Sequence, residues 1–222
     1  MTTKPIAMLV IFLTPAIFGE TIPLADLGQM DLKNSAASWT PYKGAPSLLL
    51  VEKTTPGPTG ESWAEIRNRS FHNGVIEVDV AGAPSAQAAG TPARGFIGVS
   101  FHIQPGAERF ETFYIRPTNG RADDQLRRNH STQYTSTPDW PWERLRKETP
   151  GVYESYADLI PGEWTHLRIV VHGTEARLFV GSSDQPALIV HDLKLGDTKG
   201  SVALWIGPGT EGHFKNLTIS NE

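Results

Sequence analysis

The sequence predicts an all-β fold in which two antiparallel sheets pack face to face. Turn formers are abundant, with 21 Gly and 17 Pro among 222 residues, about 17 % against a usual 12 %. Between them lie ten or so short runs rich in β-branched and aromatic residues. Most of these runs alternate apolar and polar side chains with period two, so each strand buries one face and leaves the other available. A helical bundle is not expected from this pattern. The chain carries no repeat of fixed period, which argues against a propeller or solenoid.

The elements follow in order. Residues 1–19 place Lys4 before an apolar run from Pro5 to Phe18, the pattern of a secretory signal and too short to span a bilayer comfortably. The expected protein is therefore secreted or periplasmic, without a stable membrane span after cleavage, and residues 20–222 form one domain. Ser47–Lys53 is the first expected strand and ends at the turn Pro56-Gly57-Pro58. Ser62–Arg67 sets Ala64 and Ile66 against Trp63, Glu65 and Arg67. Gly74–Val80 follows the Asn73-Gly74 turn with Ile76, Val78 and Val80 on one face. Ala81–Gly95 reads as a loop. Phe96–Gln104 sets Ile97, Val99, Phe101 and Ile103 against Gly98, Ser100 and His102, and Phe110–Arg116 sets Phe113 and Ile115 against Thr112, Tyr114 and Arg116. Arg121–Tyr156 shows no clean period and reads as a long excursion over one face. Trp164–His172, Ala176–Val180, Ala187–Val190, Ser201–Ile206 and Phe214–Ile219 complete the strands.

Charge and composition narrow the function. The 20 Lys and Arg against 24 Asp and Glu leave a formal net charge of −4, which argues against a general nucleic-acid binder. With 0 Cys there are no disulfides, thiolate metal sites, cysteine nucleophile or lipid-anchored cysteine. No cofactor is expected. Asp123-Asp124 could hold Ca2+ with loop carbonyls, but no calcium motif surrounds it.

Several runs resemble the concanavalin A-like lectin and glucanase superfamily: NGVIEVDVAG (residues 73–82), FIGVSFHI (96–103), FETFYIRP (110–117), PGEWTHLRIVVHGTEARLFVG (161–181) and the closing GSVALWIGPGTEGHFKNLTI (200–219). The similarity is nearest to the laminin-G-like jelly rolls and to the 3-keto-disaccharide hydrolase-like domains. It implies a jelly-roll β-sandwich that hosts sugar-binding modules, glycosidases and adhesion domains alike. Family 16 glycosidases of this fold carry a Glu-x-Asp-x-Glu strand. Here Glu77 and Asp79 fill the first two places, but Ala81 stands in the third, so the second carboxyl of such a pair is missing.

Sugar sites combine flat aromatic rings with planar polar groups. The primary expectation is a secreted carbohydrate-binding domain whose groove is walled by Trp63, Glu65, Arg67, His102, Tyr114 and Arg116. The excursion would cover it, with Tyr134, Trp140, Trp142 and Tyr156 supplying rings. From Arg116 to Lys147 there are seven Lys/Arg, so an acidic sugar is one candidate ligand. Asp123, Asp124, Asp139, Glu143 and Glu148 lie among them as possible partners. A second expectation, drawn from the resemblance, is a glycoside hydrolase or lyase acting on a 3-keto-sugar, with Glu154 or His102 as base and Arg116 as the stabilising cation. A third is a protein-binding adhesion module that uses the aromatic loop.

Overall fold

The computed structural model describes residues 19–53, 62–88, 90, 91 and 93–222. The expected signal segment lies outside these residues except for Gly19, as does the turn at Pro56-Gly57-Pro58. Along the described chain run β1 (Glu20–Thr21), β2 (Met30–Lys33), β3 (Ser35–Tyr42), β4 (Ala45–Glu52), β5 (Ser62–Ile66), β6 (Gly74–Pro84), β7 (Ile97–Ile103), β8 (Phe110–Ile115), α1 (Gln125–Arg128), β9 (Thr132–Thr137), α2 (Trp142–Glu148), β10 (Glu154–Ser155), β11 (Thr165–His172), β12 (Glu175–Val180), β13 (Leu188–Val190), β14 (Ser201–Ile206) and β15 (Thr210–Asn221).

They form two antiparallel sheets. The first has the order β13-β12-β11-β6-β15-β4-β3, with β1 beside β15, and the second has the order β10-β9-β8-β7-β14-β5-β2. The first sheet sends Leu48, Leu50, Ile76, Val78, Val80, Leu167, Ile169 and Phe214 into the interior. The second sends in Ala64, Ile66, Val99, Phe101, Phe113, Ile115, Leu204 and Ile206. Each large side chain buried this way contributes roughly 1.5–3 kcal/mol, so the alternating positions decide which face is core. Among the described residues no helix is long and apolar enough to cross a membrane.

Three expectations are corrected here. Ala81–Pro84 continues β6, paired with Thr210–His213, so the expected loop starts later. The excursion is not purely irregular, because Thr132–Thr137 pairs with β8 and Glu154–Ser155 with β9. Finally, β7 bulges. Its partner β14 advances from Ser201 to Ala203 while β7 passes from Ile103 to Ser100, which leaves one extra residue on β7. His102 takes a φ of 51° at that point. Beyond the bulge the alternation slips, and Ile103 joins Trp63, Phe110 and Ala203 in a small apolar patch on the outer face.

Candidate functional site

One row of paired residues crosses the outer face of the second sheet. Lys33 pairs with Trp63, Trp63 with Trp205, Trp205 with Gly98, Gly98 with Tyr114, Tyr114 with Gln133 and Gln133 with Glu154. Residues directly opposite one another share a face, so Trp63, Tyr114 and Glu154 point to the same side. Gly98 contributes no side chain to the row. Across it the Trp205 and Tyr114 rings approach to 5.0 Å between centroids.

Arg116 lies just past the end of β8, at one corner of this face. Its Nη1 donates to the His130 carbonyl at 2.9 Å, and its Nη2 donates to the Tyr114 hydroxyl at 2.9 Å and to Gln133 Oε1 at 3.0 Å. Its guanidinium also lies 5.0 Å from the Tyr114 ring, 5.3 Å from Phe96 and 6.0 Å from Trp142. Such cation–ring contacts hold both partners in place. Trp142 opens α2 and remains 37 % exposed, with the Arg146 guanidinium 4.5 Å from its ring. Arg146 in turn grips Glu154, with Nε to Oε1 at 2.9 Å and Nη2 to Oε2 at 2.6 Å. The imidazole of His130 lies 3.2 Å from the same carboxylate. Burial pushes the Tyr114 phenol up, against the pull of Arg116. A cavity of about 820 Å³ opens beside the platform, and Phe96 is one of its walls together with Glu52, Gln87 and Thr210.

The remaining expected residues fall in different places. Glu65 shares the outer face one row further along and accepts a hydrogen bond from Ser201. Arg67 lies past the end of β5, ion-paired with Asp31. Trp140 is half-buried against the core, with Arg144 3.8 Å from its ring. Tyr156 is half exposed next to Arg121, outside the row. Three placements are corrected. Trp63 lies on the outer face but is 1 % exposed, sealed beneath Phe110 and Lys33, so its ring is no open wall of a groove. The bulge turns His102 inward and buries it fully, its Nδ1 2.8 Å from Glu111 Oε2 and its Nε2 donating to the His72 carbonyl at 2.9 Å. Tyr134 faces the core from β9 and donates to Glu111 Oε1 at 2.6 Å. Neither side chain forms a wall of the outer face. Glu77 and Asp79 belong to the first sheet, where the imidazole of His166 lies 2.8 Å from Asp79. Sequence reasoning passed over Trp205, whose indole occupies the outward place between Leu204 and Ile206, and Lys33 and Phe96, which border the row.

Chemically, the face offers exposed indole, a buried guanidinium and amide and carboxylate groups held in fixed orientation. Glu65 on β5 and Glu154 on β10 are five strands apart, roughly 24 Å at the usual strand spacing, whereas a glycosidase pair needs about 5–9.5 Å. Among the described residues no group of three or more His, Asp or Glu could hold a metal ion.

The histidines give the fold a pH dependence. His130 and His213 are both held below their usual 6.5, each chiefly by burial, with Glu154 and Glu211 respectively pulling the other way. Between those depressed values and 6.5 the unfolded chain binds more protons than the folded one, so stability rises with pH through that window. Stability is therefore expected to fall as the pH drops below about 6.5, and to show no further dependence on these groups at higher pH. Urea midpoints at about pH 7.5 and about pH 5 check this, and His130→Asn should flatten part of the slope.

No family model and no curated protein matches the chain. Solved structures do. They include the carbohydrate-binding module CBM66 of Bacillus subtilis, at TM-score 0.53 and 12 % identity over 85 % of this chain and 96 % of that one. A putative glycosyl hydrolase of Parabacteroides distasonis matches at TM-score 0.53 and 13 % identity over 90 % and 91 %. A Bacillus subtilis protein of unknown function with a galectin-like fold matches at TM-score 0.56 and 11 % identity over 91 % and 94 %. At these identities the likeness is one of fold alone: the chain is a two-sheet jelly-roll β-sandwich.

Proposed function

We propose that this jelly-roll domain binds carbohydrate on the outer face of its second sheet. The observation that carries the reading is the platform around Arg116, where Tyr114, Phe96 and Trp142 surround a guanidinium whose hydrogen-bond partners among the described residues are all neutral, and where Trp205 packs against Tyr114. A sugar ring offers an apolar C–H face to the exposed indole and hydroxyl edges to the partly exposed Arg146 beside it, which Glu154 holds in place. The carbohydrate-binding module among the structural neighbours is consistent with this use of the fold, which by itself decides no activity.

A purely binding role fits the site better than cleavage. Glu154, the base of the elimination reading, already accepts two arginine nitrogens and lies against His130. His102, the other candidate base, is buried in the sandwich.

The test is a glycan array followed by titration calorimetry of the best ligand. Trp142→Ala, at a partly exposed position on α2, is expected to weaken binding roughly tenfold through loss of one stacked ring, and to cost only about 1–2 kcal/mol of stability through its two arginine contacts, leaving the protein folded. Trp39→Ala, on an exposed strand of the other sheet, should leave affinity unchanged. Equal affinities of the Trp142→Ala protein and the parent would remove the platform from the account. Turnover of a glycoside during the same incubations would favour the enzymatic alternative.

A further inference from the structure

Among the described residues, three arginines at one corner of the platform make no ion pair with a carboxylate. Arg116 is buried, 5 % exposed, yet its bonds run only to a carbonyl, a phenol and an amide oxygen. The His130 carbonyl that accepts from Arg116 also accepts from Asn119 Nδ2 at 3.1 Å, and Asn119 Oδ1 accepts from Arg127 Nε at 2.9 Å. The remaining side-chain bonds of Arg127 go to Thr118. Arg94 is half-buried beside Arg127, and its backbone carbonyl accepts from Thr118 N. Among the described residues no ion pair joins any of these three guanidinium groups to a carboxylate.

The nearby acids are otherwise engaged. Asp124 accepts from the Arg127 backbone N–H and caps α1, and Glu154 is gripped by Arg146. Burial, and to a smaller degree the charge of Arg127, holds Arg94 below its usual range. Neutral acceptors hold Arg116 and Arg127, and rings flank Arg116, but among the described residues no opposite charge offsets their partial desolvation. Arginine's planar fork matches a carboxylate or sulfate oxygen pair. In a chain of net charge −4, this positive corner is local and adjoins the aromatic platform through Arg116.

We infer that the saccharide bound here is anionic, and that its carboxylate or sulfate docks at the corner formed by Arg94, Arg127 and Arg116. The inference rests on the carbohydrate reading above and adds the ligand's charge to it. Arg94 and Arg127 are the half-exposed groups that make contact, and Arg116 supplies field from behind them.

The experiment is titration calorimetry of the full chain with two matched pairs: an oligogalacturonate against its methyl ester, and a sulfated oligosaccharide against its desulfated form. The charged member of one pair is expected to bind at least about tenfold more tightly than its neutral twin, the scale of one charge-assisted contact. The gap should shrink as salt is raised. It should close in the Arg94→Gln, Arg127→Gln double variant and be partly retained in the Arg94→Lys, Arg127→Lys variant. Unchanged circular dichroism and cooperative unfolding would show that the variants are folded. Whichever pair shows the gap identifies carboxylate or sulfate as the group read. Equal affinities within both pairs, or a gap that survives the double Gln variant, would overturn the inference. So would failure of both pairs beside a neutral glycan whose binding depends on Trp142. In each of these cases sugar binding itself still stands, whereas absence of binding to every glycan removes both readings together.

Discussion

Replacing Glu111 with Leu is expected to cost about 3–5 kcal/mol of stability, the usual price of breaking a buried charged pair. The Glu111 carboxylate and the His102 imidazole are both fully buried. The Nε2 of His102 faces a backbone carbonyl and must carry a hydrogen. Its Nδ1 faces a carboxylate oxygen, so that contact also needs a proton between the two groups. The other carboxylate oxygen accepts from the Tyr134 hydroxyl and from Leu195 N, while the Tyr134 hydroxyl accepts from Lys194 N. Burial, reinforced by the Glu111 charge, pushes the Tyr134 phenol well above its usual range. The network ties the bulge of β7 to β9 and to the segment before β14. Either single substitution strands the remaining partner in the core. The His102→Leu, Glu111→Leu double variant should therefore lose much less than the sum of the two singles. Urea unfolding of the four proteins measures this directly, and additive losses below about 1 kcal/mol each would contradict the network as described.

Gly98→Ala is expected to destabilise the sandwich by roughly 3 kcal/mol, at the upper end of overpacking effects, and to abolish ligand binding with it. A Cβ at Gly98 would lie 2.0 Å from the Phe113 carbonyl oxygen and 2.6 Å from Tyr114 Cα. Both are parts of the neighbouring strand, so no side-chain rotation relieves the contact and β7 must move away from β8. That movement separates the Trp205 and Tyr114 rings, which now meet across the glycine. The nearby Gly200→Ala has the same character, because its Cβ would fall 2.4 Å from the backbone at His102 and Ile103. It touches the bulge and not the platform, so it should reduce stability while sparing affinity in the folded fraction. Thermal melts and calorimetry of the two variants separate these effects.

Strands with a clean alternation were legible in the sequence. The inward sets of β5, β6, β8 and β11 lie where their period places them, and the same parity brings Trp63, Tyr114 and Arg116 to one face. Two kinds of position were not legible. In β9 the inward residues Thr132, Tyr134 and Ser136 are polar or amphipathic, because they face Ser155 and the Glu111 carboxylate. A hydrophobic period therefore does not show. In β7 the bulge inserts a residue without any Gly or Pro to mark it, so His102 and Ile103 exchange their expected faces. The edge strands β2 and β3 bury little, and their sequences offer no strong pattern to read. Trp205 did carry a signal, an indole at the outward place of an otherwise regular strand.

The central claim is that sugar lies on the second sheet's outer face, and the six tryptophans make it directly testable. Nuclear magnetic resonance of the indole N–H groups during glycan titration should show the Trp142 and Trp205 signals moving with ligand while those of Trp39 and Trp164, on the other sheet's side, stay fixed. Movement confined to Trp39 or Trp164, or a bound glycan that leaves the Trp142 and Trp205 signals in place, would contradict it.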